Sequence, residues 1–195
     1  MNNQIQSNKA VAGSLSQQAT AKGQALAETF VNADAIVIVD TSGSMGMSDG
    51  FEDTRYERAC DELAKIQKSM PGKIAVLSFS DEVMFCPAGI PWNYEAGTDL
   101  AAALKFAKVA DVPDMRFIVI SDGEPTDGSG NLSPEQYCIQ IAKTFKNHID
   151  TIYIGRENGS GQDFLARLAK ASGGISARDF SVAKLSDTVK GLLGQ

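Results

Sequence analysis

A chain of 195 residues with 43% apolar content is the size of one domain and can bury a core around a sheet. Its formal charge of −6, with no run of Lys or Arg, argues against a surface built to neutralise phosphates, so nucleic acid is not expected as a partner. Cys60, Cys86 and Cys138 are odd in number and far apart, which excludes a disulfide scaffold and a short-spaced thiolate metal site; they read as half-buried thiols in a reducing compartment.

Residues Met1 to Lys22 are rich in Gln, Asn, Ser and Ala and carry neither the basic leader nor the apolar run of a secretory signal, so a cytoplasmic location is expected. No stretch approaches the roughly 20 apolar residues that span a bilayer, and no membrane association is expected. Residues 1–32 read as a polar N-terminal leader to a domain over 33–195. Between Ser16 and Val31 the composition supports a helix with a weak apolar side at Leu26, Ala27, Phe30 and Val31. The alternative is a partly ordered leader packed loosely on the domain.

Ala35 to Val39 (AIVIV) is a continuous β-branched run, the mark of a central strand covered on both faces, and it ends at Asp40. Arg55 to Met70 places Ala59, Leu63, Ile66 and Met70 at helical spacing, and Pro71-Gly72 stops it. A strand follows from Lys73 to Phe79. The turn at Ser80-Asp81 into Glu82 to Phe85 is so short that these neighbours must be antiparallel. A helix is expected from Thr98 to Lys108, a strand from Arg116 to Ile120 (RFIVI), a helix from Pro134 to Asn147 and a strand from Thr151 to Ile154. A helix from Gln162 to Ala171, a short strand over Ile175 to Ala177 and a C-terminal helix from about Val182 to Leu193 complete the chain. This alternation specifies an α/β fold, an open, doubly wound and mostly parallel sheet with one antiparallel edge strand.

In such a sheet ligands bind in the crevice at the C-terminal ends of the strands, where strand order reverses. The loop after the first strand reads Asp40-Thr41-Ser42-Gly43-Ser44, a carboxylate and two hydroxyls at alternate positions. The loop after RFIVI reads Ser121-Asp122-Gly123, a carboxylate before a residue that permits a tight turn. Hard oxygen ligands of this kind suit a small octahedral cation such as Mg²⁺ or Mn²⁺. The chain's single histidine, His148, lies at the opposite end of a strand, which argues against zinc.

The blocks VIVDTSGSM, FSDEV, GTDLAAAL and IVISDGEPTDG fall in that order across roughly Ala33 to Leu193 and resemble the von Willebrand factor A domain. The resemblance implies a Rossmann-like domain with a metal-ion-dependent adhesion site (MIDAS). Asp40, Ser42 and Ser44 match the site's first element, Thr98 in Ala96-Gly97-Thr98-Asp99-Leu100 the second, and Asp122 the third. On this resemblance Ser42, Ser44 and Thr98 supply neutral oxygens, directly or through water. Asp40 and Asp122 supply the charge, and the cation's open position takes an acidic side chain, Asp or Glu, from a partner protein.

Several neighbouring residues have two readings. Asp99 reads as a first-turn helix acid. Glu124, Thr126 and Asp127 form either a solvated turn begun by Pro125 and ended by Gly128 or, through Glu124, a secondary contact. Met45, Met47 and Phe51 after the metal loop, with Trp92 and Tyr94 before Thr98, form a partner-contact rim or cover the sheet edge. Among whole functions, an adhesion-type, non-enzymatic binding module leads. A structural or assembly component, its metal merely tying loops together, is a second reading. A phosphatase of the haloacid-dehalogenase type would place a second Asp two residues after the first, where this chain has Ser42. Nucleotide binding lacks its Gly-x-Gly-x-x-Gly after the first strand and its Gly-Lys-Ser/Thr loop.

Overall fold

The computed structural model describes residues 10–93, 96–123, 125–156, 159–178 and 191. Two short helices, α1 (Leu15–Lys22) and α2 (Leu26–Val31), precede β1 (Ala35–Asp40). A 3-10 turn at Gly43–Gly46 leads to α3 (Arg55–Ser69), then β2 (Ile74–Phe79) and β3 (Val83–Phe85). The chain continues through α4 (Leu100–Lys108), β4 (Arg116–Ser121), α5 (Pro134–Ala142), β5 (Ile149–Tyr153), α6 (Ser160–Ser172) and β6 (Ser176–Arg178). The sheet order is β3-β2-β1-β4-β5-β6, and every neighbouring pair is parallel except β2 and β3. This is the expected Rossmann-like arrangement with one antiparallel edge strand.

Successive side chains of a strand point to opposite faces, and here both faces are covered. Ile36, Ile38, Leu77, Phe117 and Val119 pack with residues of α4, α5 and α6, while Val37, Val39, Val76, Ile118 and Ile120 pack with Ala59, Leu63 and Ile66 of α3. That is why β1 and β4 are apolar without alternation; each such side chain contributes about 1.5–3 kcal/mol on burial. From β1 the chain goes out to β2 and later returns to β4 on β1's other side. The loops after β1 and β4 therefore diverge, leaving a crevice between them.

Local chemistry sets the element ends, and several differ from expectation. The weakly apolar stretch over 16–31 forms two helices because Gly23 adopts a left-handed conformation (φ 62°) between them. Leu15, only 1% exposed, and Ala19 are buried, and Gly13 sits so close to α3 that a Cβ there would lie 1.9 Å from the Gln67 carbonyl oxygen. α4 starts at Leu100, not Thr98, because Asp99 is its N-cap, accepting from Ala102 N–H at 2.8 Å, and not a first-turn acid. α5 stops at Ala142 instead of Asn147, since the buried Asp111 carboxylate draws off the N–H groups of Lys146 (2.6 Å) and Asn147 (3.1 Å). β5 and β6 are shifted from their expected spans by one or two residues, and α6 is extended at both ends. The expected C-terminal helix lies, apart from residue 191, outside the described residues.

The three cysteines are free, with Cys86 and Cys138 buried and Cys60 partly exposed. Burial pushes the Cys60 thiol up to about 11 and Cys138 up to about 12. Among the described residues no helix is long and apolar enough to cross a membrane.

Candidate metal centre

β1 delivers Asp40, fully buried, to the crevice, and β4 ends beside it at Ser121. Asp40 Oδ1 accepts from the Ser42 N–H at 2.8 Å, and Oδ2 accepts from the Ser121 hydroxyl. Burial pushes the Asp40 carboxyl up to about 6, against the opposing pull of the Ser121 and Ser42 hydrogen bonds; the nearby Asp122 charge also raises it. Beyond Asp40 the hydroxyls form a chain. Ser42 Oγ lies 3.1 Å from Ser44 Oγ, and Ser44 Oγ donates to Asp122 Oδ1 at 2.8 Å. The loops after β1 and β4 are thus stitched together by the side chains expected there.

Thr98 joins them from a third loop. Its N–H donates to Thr126 Oγ1 at 3.1 Å and its carbonyl accepts from the Thr126 N–H at 3.0 Å. The same loop is held by Gly43 N–H to the Ala96 carbonyl (3.1 Å) and by Gly97 N–H to Asp81 Oδ1 (2.9 Å). Ser44, Thr98 and Asp122 line one open cleft of about 440 Å³, shared with Met47, Arg55 and Arg156. A Cβ at Gly123 would sit 3.7 Å from Ser44 Oγ and 4.0 Å from Asp40 Oδ2, so the absence of a side chain there leaves room beside those oxygens.

Among the described residues no three His, Cys, Asp or Glu side chains gather as a metal site. The groups here are of another kind: Asp40, Ser42, Ser44 and Asp122 are joined by hydrogen bonds, and Thr98 lines the same cleft as Ser44 and Asp122. That set fits a hard cation that accepts neutral oxygens and retains some water, and offers nothing to a soft metal.

Three cations that sequence reasoning missed surround this centre. Arg55, 4% exposed, donates through Nη1 to Asp122 Oδ2 and to the Ser44 carbonyl (3.3 Å). Its Nε and Nη2 take both oxygens of Asp49, the latter at 2.6 Å, and these hydrogen bonds hold the Asp49 carboxyl below its usual range. Arg58 and Arg156 also approach Asp49, at 3.9 and 3.5 Å. One signal was present in the sequence: Arg55 is the first residue of a helix, where the macrodipole disfavours a cation. A buried carboxylate partner accounts for it.

The residues proposed as a rim separate. Met45 is fully buried and packs with Val37 and Val39, so it is core and cannot contact a partner. Met47 is 49% exposed and lines the cleft; Trp92 is 56% exposed on the loop leading to Thr98. Tyr94 and Glu124 lie outside the described residues. Thr126 is more than part of a solvated turn, since it clamps Thr98.

No protein-family model matches the sequence, and no curated protein matches it. Solved structures share its fold. An aerotolerance-related membrane protein from Bacteroides fragilis superposes with a TM-score of 0.63 at 16% identity, covering 82% of this chain and 98% of that one. A von Willebrand factor type A structure from Catenulispora acidiphila gives 0.60 at 17% identity, covering 82% and 41%. Proximal thread matrix protein 1 of the mussel byssus, solved with zinc in its MIDAS motif, gives 0.56 at 20% identity, covering 83% and 47%. At these identities the likeness is one of fold: the chain has the architecture of von Willebrand factor A-type domains.

Proposed function

We propose that this domain is a metal-dependent protein-binding module whose complete MIDAS consists of Asp40, Ser42, Ser44, Thr98 and Asp122. The observation that carries the reading is the chain from Asp40 through Ser42 and Ser44 to Asp122, which joins two loops at the reversal of strand order, with Thr98 in the same cleft. The zinc-occupied MIDAS of the fold-sharing mussel protein supports it. For this all-oxygen set Mg²⁺ or Mn²⁺ is the better match. Such a cation supplies an electrophilic coordination position for the carboxylate of a partner's Asp or Glu. Three free thiols support a reducing compartment, and the cytoplasm is the setting we infer.

We infer binding and not catalysis, because the position two residues after Asp40 carries Ser42, whose hydroxyl is no proton shuttle near neutral pH. Turnover of a generic phosphate ester, abolished by Asp40→Asn, would reverse that inference. A second reading makes the protein a structural or assembly component whose metal only ties the loops together; it draws on the Ser44–Asp122 hydrogen bond, which joins the loops after β1 and β4 at two of the proposed ligands.

The test uses the purified chain as bait in its native lysate, with Mg²⁺ or with chelator, as wild type and as Asp40→Ala, and retained proteins are identified by mass spectrometry. Capture that requires both metal and Asp40 supports adhesion. Identical capture in all lanes, alongside metal binding by calorimetry, supports the assembly reading instead.

A further inference from the structure

We propose that the partner segment is di-acidic, one carboxylate addressing the metal centre and a second, nearby in the same segment, taken by Arg156. This rests on the metal-dependent binding reading above.

Acceptors are in short supply around Asp49. Arg55, Arg58 and Arg156 converge on Asp49, but Arg55 alone occupies both of its oxygens. Counting Asp122, three guanidinium groups face two carboxylates among the described residues, in a chain whose overall charge is −6. The deficit shows at Arg58, whose three guanidinium nitrogens are buried with no hydrogen-bond partner and which lies over the Phe51 ring at 4.2 Å. Arg55 is fully engaged and Arg58 is covered. Arg156 faces outward, its side chain 76% exposed, and among the described residues its ion pair is the 3.5 Å approach to Asp49.

Position makes that exposed charge specific. Arg156 and Met47 line the cleft that holds Ser44, Thr98 and Asp122, and both also line an adjoining open recess of about 800 Å³ bounded by the loop from Gly46 to Gly50. A peptide with one carboxylate in the cleft must leave it past one of its walls, and the wall shared with the recess carries a guanidinium beside an apolar methionine. Arg156 is solvent-exposed in this pair and both Asp49 oxygens are already held by Arg55, so Arg156 gives up its Asp49 contact at little cost. A planar guanidinium recognises a carboxylate through two parallel hydrogen bonds, which makes the gain sensitive to where the second acid sits.

The probes are short fluorescent Gly/Ser peptides carrying one Asp, or two Asp separated by one to about five positions, titrated by anisotropy into the full chain with Mg²⁺ or Mn²⁺. The proteins compared are wild type, Arg156→Gln, Arg156→Lys and Asp40→Ala. We expect the second Asp to tighten binding by about fivefold or more at particular spacings. Taking the gain as the ratio of double- to single-Asp affinity within each protein, Arg156→Gln is expected to reduce it to the roughly twofold that follows from having two equivalent ligands, and Arg156→Lys to restore it in part. A gain equal at all spacings, or one that survives Arg156→Gln, overturns the Arg156 subsite while the metal reading stands. Absence of metal-dependent binding by every peptide overturns both.

Discussion

Arg55 Nη1 and Asp122 Oδ2 form a buried ion pair, with the Arg55 side chain 5% exposed and the Asp122 side chain fully buried. A cation of the protein's own thus holds one oxygen of a proposed metal ligand, and it ties that ligand through Asp49 to the loop after the 3-10 turn. The pair compensates the Asp122 charge in the absence of metal and sets a positive charge against any incoming cation.

Replacing Arg55 by Gln is therefore expected to act in two directions. The metal-free protein should lose about 3–5 kcal/mol, since the buried Asp122 carboxylate is left uncompensated. Metal should then stabilise the variant more than the wild type, because the competing charge is gone. Thermal melts of both proteins with chelator and with Mn²⁺ measure this; an equal metal-induced rise in Tm in the two would mean that Arg55 is indifferent to the site.

Asp40 predicts a pH dependence of opposite sign to that of a salt-bridged acid. Its folded carboxyl is raised to about 6 from 3.8, so the folded state binds the proton more tightly than the unfolded chain. The associated stability is fully present below about pH 4 and is lost as pH rises through 6, by about 3 kcal/mol in the metal-free protein. Asp40→Asn should remove this component, and Mg²⁺ should offset it in the wild type above pH 6. Urea titrations of chelated wild type and variant from pH 4 to 7.5 give the difference; parallel curves for the two would refute the assignment.

Asp111 sits far from the cleft in function though not in importance. It accepts from Lys146 N–H, Asn147 N–H and Asn147 Nδ2, the last at 2.8 Å, and so ends α5. Asp111→Ala should cost about 1–3 kcal/mol, leaving the part-buried donors of Lys146 and Asn147 without this acceptor, while metal affinity stays unchanged. Denaturation midpoints and calorimetric titration read the two effects separately, and a shift in metal affinity would contradict the placement.

At Gly13 both space and conformation exclude a side chain, with φ +84° and the Gln67 carbonyl oxygen in the way. Gly13→Ala is expected to displace α1 from α3 and to destabilise the protein by about 1–3 kcal/mol. Limited proteolysis should then cut within residues 10–32 faster than in wild type; unchanged cleavage would show that α1 contributes nothing to the fold.

The fold was legible because AIVIV and the FIVI of RFIVI are apolar runs buried on two faces. The hydrogen-bonded loop after β1 was legible as a candidate site because its carboxylate and hydroxyls follow one another at the end of a strand. What lay hidden came from pairs distant in the chain. Arg55 and Asp122 are 67 positions apart, and Thr98 and Thr126 are 28 apart. No periodicity registers such partners, because only the sheet order brings their loops together. Met45 misled for a related reason: an apolar residue in a loop signals contact equally well with a partner or with the protein's own core, and the 3-10 turn points it inward.

The hydroxyl of Ser121 reaches Asp40 across 81 positions of sequence, and β4 must dock on β1 before the two can meet. The complete candidate centre therefore requires the β1–β4 pairing to be in place. Neither hairpin nor helix brings its oxygens together, and the chain closes a long loop before any cation can find them. A bound ion is accordingly expected to leave the rate of folding almost untouched and to slow the escape from the native state, acting as a lock on a finished structure.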